Sequence, residues 1–275
     1  MNETNTHATD AKSAENEEPN IKVAIADGIA TLTLNRVRNL NVFTEEALIE
    51  FYDTLEHVSR DENVKVVALL SACEKAFTAG ADIKKMVNMG TREGRAWSEL
   101  GHKIAKKIET IPQPVIIGVH RYVLGGGVEF ACACDIRIAA EDTVFSQPEI
   151  DIGVIPGWGG TQRLTRVVGI AKAKEMIYTG MRIDANEARE IGLVNHVVPR
   201  ENLEEAVMNM ARTMASKGKM ALFDAKKSIN KIHDSFLPEG LEYEVERWTE
   251  LFETHDQKEG MKAFLEGREP KFEDR

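Results

Sequence analysis

Short apolar runs alternate with segments of helical period along the first two-thirds of this chain, and that alternation points to an α/β core. Residues 21–25 and 29–34 are apolar-rich runs separated by Asp27-Gly28, a dipeptide that predicts a tight hairpin. Thr44, followed by Glu45, Glu46 and Ala47, predicts a capped helix start, and Leu48, Phe51, Leu55 and Val58 repeat at helical spacing behind it. Residues 64–70 and 115–119 read as buried strands. Between them Trp97, Leu100, Ile104, Ile108 and Ile111 mark an amphipathic helix stopped by Pro112 and Pro114. Residues 125–127 open a short apolar helix, 135–140 and 143–145 read as strands, and a Gly-rich loop at 153–160 leads into a helix from about Thr161. A strand follows at about 194–198. From Glu201 the pattern is helical almost to the end, with Leu203, Ala206, Met210 and Met214 on one side.

The chain divides into three parts: an acidic tail at 1–19, an α/β core at 20–210 and a helical segment at 211–275. The tail is almost free of large apolar side chains, which predicts disorder, and its acidity argues against a mitochondrial presequence. With 275 residues, 43% hydrophobic and 29% charged, the chain suffices for one sizeable core, and no apolar run is long enough to span a bilayer. The formal net charge of -10 opposes binding to a phosphate backbone, so nucleic acid is not an expected partner. Cys73, Cys132 and Cys134 lack metal-ligand spacing; they read as buried free thiols, no metal site is expected, and a reducing cytoplasm fits.

Three loops follow predicted strands, where an α/β scaffold commonly places reacting groups. They hold Ala76-Phe77-Thr78-Ala79-Gly80-Ala81-Asp82, then Leu124-Gly125-Gly126-Gly127-Val128-Glu129, then Gln147-Pro148-Glu149 running on through Gly157-Trp158-Gly159-Gly160 to Gln162. Glycines at a helix start let a ligand approach backbone N–H groups that carry partial positive charge, as an oxyanion hole requires. Close helix–strand packing explains the same glycines, and neither a dinucleotide fingerprint nor a P-loop is present. Glu129 and Glu149 are each explicable as ordinary helix-start and turn acids. Together, in separate glycine-flanked loops, they form a candidate carboxylate pair whose pKa values a shared pocket would push apart, leaving one acid and one base.

These three motifs, in this order, resemble the enoyl-CoA hydratase/isomerase (crotonase) family over about residues 21–272, most densely at 79–84, 124–129 and 147–164. The resemblance implies a spiral of strand–strand–helix units, two roughly perpendicular sheets ringed by helices, and a helical C-terminal trimerisation segment. A homotrimer or a homohexamer built as a dimer of trimers is expected with it. It implies reversible syn-addition of water to a short-chain 2-enoyl-CoA such as crotonyl-CoA, with coenzyme A entering as part of the substrate and no separate cofactor. By motif, the N–H groups of Ala81 and Gly126 would hold the thioester oxygen. Glu129 would activate water, Glu149 would deliver the α-proton, and Gly157 would help to orient the water.

The same resemblance assigns coenzyme A contacts to Arg38, Leu40, Ala79, Ala81, Asp82, Ile83, Lys84 and Gly125, and relates Trp248 and Phe264 to C-terminal residues that reach the acyl or CoA site. Arg38 and Lys84 are equally explicable as solvated surface charges, and Trp248 and Phe264 as helix packing. Trp158 stands where a smaller residue is common and is expected to shape the acyl pocket. Val37 replaces a frequent Pro, His120-Arg121 a common Asn-Gly, and Gly267 a lysine seen in some relatives. His120 reads as a hydrogen-bonded loop residue. Both acids are present, which favours hydratase over isomerase. Dehydration of a 3-hydroxyacyl-CoA and hydration of an alicyclic dienoyl-CoA remain on the same scaffold. An RNA-binding relative is opposed by the net charge of -10.

Overall fold

The computed structural model describes residues 18–275. The expected disordered tail therefore lies almost wholly outside the described residues. A hairpin of β1 (Ile21–Ala26) and β2 (Ile29–Leu34) opens the fold, followed by α1 (Glu45–Ser59). The chain then makes three similar turns. The first is β3 (Val66–Ser71), β4 (Ala76–Thr78), the single-turn helix α2 (Ile83–Met86) and α3 (Thr91–Thr110). The second is β5 (Val115–Val119), β6 (Tyr122–Leu124) and α4 (Gly126–Ala133). The third is β7 (Ile136–Ala140), β8 (Val144–Ser146), α5 (Gly160–Val168) and α6 (Ile170–Thr179). Next come β9 (Arg182–Asp184), α7 (Ala185–Glu190) and β10 (His196–Val198). Helices α8 (Leu203–Ala215), α9 (Lys219–Asn230), α10 (Leu237–Glu250) and α11 (His255–Glu266) close the chain.

The first strand of each turn enters a six-stranded sheet of order β1-β2-β3-β5-β7-β10, and the second enters a four-stranded sheet of order β4-β6-β8-β9. This is the expected spiral of strand–strand–helix units. Local chemistry explains the hairpin: Asp27 (φ 52) and Gly28 (φ 76) both adopt positive φ, the geometry a two-residue turn needs to match strand twist. From β2 onward the larger sheet is parallel, and each parallel step is made possible by a helical crossover. In β3, Val67 and Leu69 face the main core with Leu48, Phe51, Ile104 and Phe130, while Val66, Ala68 and Leu70 face a second cluster under α8. Such two-sided burial is why β3 and β5 read as unbroken apolar runs.

One expectation needs correction. The buried stripe of α8 is Leu203, Val207 and Ala211, with Ala206, Met210 and Met214 only half-buried along its flanks. Small side chains let the helix sit low on the sheet: Val207 Cγ2 lies 2.7 Å from where a Cβ on Gly118 would stand. Ala211 is fully buried in that cluster.

Beyond α8, the buried Lys226 ties α9 to the core. Its Nζ donates to the carbonyls of Ile108 and Gln113, both at 2.9 Å, and pairs with Asp135 at 2.9 Å. Helix α10 has no buried residue, whereas α11 buries Asp256 and Ala263. Asp256 accepts from the N–H groups of Glu273 (2.7 Å) and Asp274 (2.9 Å), and Asp274 pairs with Lys65 at 2.8 Å. Among the described residues, no helix is long and apolar enough to cross a membrane. Cys73, Cys132 and Cys134 are buried and free.

Ile104, fully buried at the centre of α3, should cost about 2–5 kcal/mol when truncated to alanine, through lost burial and an unfilled cavity. Urea unfolding of Ile104→Ala would show this as a lower midpoint at unchanged slope.

Candidate active site

The oxyanion candidates sit where the second-sheet strands end. Gly125, between β6 and α4, has φ 51 and ψ -118, and Glu149 Oε1 lies 2.9 Å from where its Cβ would be, so the position excludes any side chain. Gly126 is the first residue of α4; its N–H has no intrahelical partner and no acceptor among the described residues. The loop after β4 crosses directly above it. A Cβ on Gly80 would stand 3.0 Å from the Leu124 carbonyl oxygen and 3.9 Å from Gly126 N. Ala81, bridged to Phe43, likewise has an N–H without an acceptor among the described residues. The structure thus brings two unoccupied backbone donors together from separate loops.

Side chains that the sequence did not single out hold that loop in place. Thr78 Oγ1 donates to the Asn41 carbonyl (2.7 Å) and accepts from Gly80 N (3.0 Å). The buried Asn41 amide donates to Ser71 Oγ (2.8 Å) and the Phe77 carbonyl (2.9 Å). Ala79 N donates to the Leu40 carbonyl at 3.0 Å, which seats the Arg38 and Leu40 segment against the 79–81 loop.

Glu129, in the first turn of α4, is 2% exposed, and its Oε1 accepts from Trp158 N (2.7 Å) and Gly160 N (2.6 Å). Burial pushes its pKa up to about 7, helped by the charge of Glu149 and opposed by the two N–H donors and Arg163. Glu149 lies in a 3-10 turn, Pro148–Ile152. Its Oε1 accepts from Gln147 Nε2 at 3.0 Å, while its buried Oε2 has no partner among the described residues. Burial raises the pKa of Glu149 as well, against hydrogen bonds from its own backbone and from Gln147. The two acids therefore repel and titrate as a pair. Two backbone donors favour the charged form of Glu129, whereas nothing on Glu149 Oε2 compensates a charge. Burial is the larger cause of the rise at Glu129 and the charge of Glu149 adds to it.

Trp158 lies largely inside the fold. Its indole is 3% exposed, stacks on Phe130 (5.2 Å, 13°) and meets Phe43 and Trp97 at 6.0 and 5.6 Å. It packs over Gly126, whose Cβ would stand 2.3 Å from Cζ3, and over Gly101. The ring is thus part of the aromatic core beneath the Gly126 donor, and the residue meets Glu129 through its backbone. Gly157, expected near the water, places its carbonyl on Ser98 Oγ at 2.6 Å, and its N–H has no acceptor among the described residues.

The chain matches known proteins along nearly its whole length. The sequence profile described as enoyl-CoA hydratase/isomerase matches residues 24–275. The chain belongs to this family. It is 41% identical to the short-chain-enoyl-CoA hydratase of Clostridium acetobutylicum, over 87% of this chain and 92% of that protein. It is 40% identical to the crotonyl-CoA hydratase of Syntrophomonas wolfei, over 92% and 97%. The crystal structure of an enoyl-CoA hydratase from Bacillus anthracis superposes with a TM-score of 0.89 at 40% identity, covering 93% of this chain and all (100%) of that one.

The remaining family-implied positions are more scattered. Asp82 caps α2 by accepting from Lys85 N at 3.2 Å; Ile83, Lys84 and Arg38 are exposed beside the same loops. Trp248 packs against Phe252 with ring centroids 4.5 Å apart and planes tilted by 60°, and Phe264 is 85% exposed, so both stand on the C-terminal helices outside the buried constellation. His120 is buried with Nε2 on the Cys73 carbonyl at 2.9 Å, as a structural loop histidine should be.

In Gly126→Ala the new methyl would meet an indole already stacked on Phe130. A stability loss of about 1–3 kcal/mol by urea unfolding is expected from overpacking.

Proposed function

We propose that the chain is a hydro-lyase that adds water reversibly, in syn fashion, to a short-chain 2-enoyl-CoA such as crotonyl-CoA, giving the 3-hydroxyacyl-CoA. One observation carries this reading: two carboxylates, Glu129 buried and Glu149 half-buried, with unequal hydrogen-bond provision lie beside loops that also present two unoccupied N–H groups. The names of the Clostridium and Syntrophomonas relatives support the substrate class.

In this mechanism Glu129, as the carboxylate, takes a proton from water while the oxygen attacks Cβ, with the Gly157 N–H helping to place that water. Negative charge moves to the thioester oxygen, where the N–H groups of Ala81 and Gly126 are already oriented and need no reorganisation. Glu149 gives its proton to Cα. The pair ends with the proton on the other acid and returns to its starting state by exchange. Arg38 and Lys84 supply positive charge for the phosphates of coenzyme A, and Leu40, Ala79, Asp82 and Ile83 line its path. The free buried thiols fit a reducing cytoplasm.

We also propose a homotrimer, or a hexamer of two trimers. Helices α10 and α11 expose Leu237, Leu241, Val245, Trp248, Phe264 and Leu265, an apolar surface that association would cover and that could carry Trp248 and Phe264 to a neighbouring site.

Adding the protein to crotonyl-CoA should abolish the conjugated thioester absorbance; a folded but inactive protein would exclude the short-chain reading. Glu129→Gln and Glu149→Gln should each lower kcat by about 10²–10⁴-fold while coenzyme A binding persists. Because the base must be ionised and burial lifts Glu129 to about 7, kcat should fall as pH drops through neutrality. Light scattering should report three or six copies of the chain, and a monomer would refute the assembly.

A further inference from the structure

Glu129 is fixed by two N–H groups from a loop with little structure of its own. From 155 to 160, the N–H groups of Trp158 and Gly160 are the ones that find acceptors among the described residues, and both find Glu129. Something else must hold the donors. The peptide joining Gly157 to Trp158 carries one of them, and its carbonyl accepts from Ser98 Oγ at 2.6 Å. That peptide plane is therefore gripped at both ends, by Ser98 on oxygen and Glu129 on nitrogen. The next carbonyl, of Trp158, accepts from Arg163 Nη1 at 3.1 Å, and Glu109 holds Arg163 through Nε (2.6 Å) and Nη2 (2.8 Å). Ser98 and Glu109 both stand on α3, about three turns apart and so on one face. A long helix anchored by Ile104 and Ile108 thus braces the loop that aims the acid.

We propose that Ser98 is a positioning residue for Glu129: it locks the peptide joining Gly157 to Trp158 so that the Trp158 N–H keeps the Glu129 carboxylate aimed and ionised. For its catalytic consequence the proposal rests on the reading of Glu129 as the group that takes the proton from water. The charged or titratable groups around Glu129 are Glu149 from the 3-10 turn, Arg163 from α5 with Glu109 behind it, His102 from α3 beside Gly159, and Cys132 on its own helix. Replacing an uncharged hydroxyl leaves all of these in place. A change in the titration of Glu129 on removing Ser98 Oγ would therefore report the hydrogen bond.

The test compares wild type with Ser98→Ala and Ser98→Thr, titrating glutamate carboxyls by ¹³C NMR with Glu129→Gln to identify the resonance. Donors to a carboxylate lower its pKa, so weakening one should move the Glu129 midpoint upward in Ser98→Ala and back toward wild type in Ser98→Thr. With crotonyl-CoA, kcat in Ser98→Ala should fall about tenfold with KM nearly unchanged, and its acid limb should shift to higher pH. An unchanged midpoint in Ser98→Ala overturns the proposal whether or not the protein hydrates crotonyl-CoA. A fall in kcat with no shift in midpoint and no rescue by threonine is a packing effect and overturns it too. Near-wild-type turnover in Glu129→Gln would instead sink the hydratase role, while the NMR midpoint still decides the positioning.

Discussion

A carboxylate that is 2% exposed has to be compensated by fixed dipoles, and the two N–H groups converging on Glu129 Oε1 provide that compensation. Much of the surrounding architecture follows from this demand. The donors belong to Trp158 and Gly160, so the loop before α5 must lie against the first turn of α4. A Cβ on Gly160 would meet Pro156 Cβ at 2.8 Å and both Glu129 Oε1 and Gln147 Nε2 at 3.0 Å, which leaves that approach open to glycine. The same approach drives the Trp158 indole into the core, onto Phe130 and over Gly126. Glu129, the Gly126 N–H and the aromatic core are thereby one packed unit.

The asymmetry between the two acids comes from backbone geometry. Glu129 faces two donors on one oxygen; Glu149 has a single side-chain donor on Oε1 and none on Oε2. Burial raises both, opposed at Glu129 by the two N–H donors and at Glu149 by hydrogen bonds from its own backbone and Gln147. A spiral of strand–strand–helix turns suits this purpose, because successive turns place β4, β6 and β8 side by side and deliver the three loops to one end of the smaller sheet.

Much of the frame was legible before the structure. The stripes of α1 and α3 and the Asp27-Gly28 hairpin follow from local spacing and turn chemistry, and they appear where expected. Glu129, Glu149, Ala81 and Gly126 stood out as candidates because glycine runs beside acids are unusual local signals. Ser98 did not, since a serine on the less apolar side of an amphipathic helix looks like any solvated residue. Nor did Asn41 and Thr78, whose partners lie 30 or more residues away. The buried face of α8 was assigned one residue off, because apolar period alone does not distinguish flexible flanking methionines from the small residues that touch the sheet.

By itself, then, the sequence determined the strands of the larger sheet, the hairpin and the family, which rest on interactions within a few residues or on compact motifs, but not β4, β6 or β9 of the smaller sheet. Tertiary structure decided which backbone donors meet Glu129, that the Trp158 indole stacks on Phe130 over Gly126, and which carboxylate oxygen is left without a donor. Those outcomes depend on how closely two distant backbones approach. That distance is set by packing against third parties such as Phe130, Gly101 and α3, which no local pattern encodes.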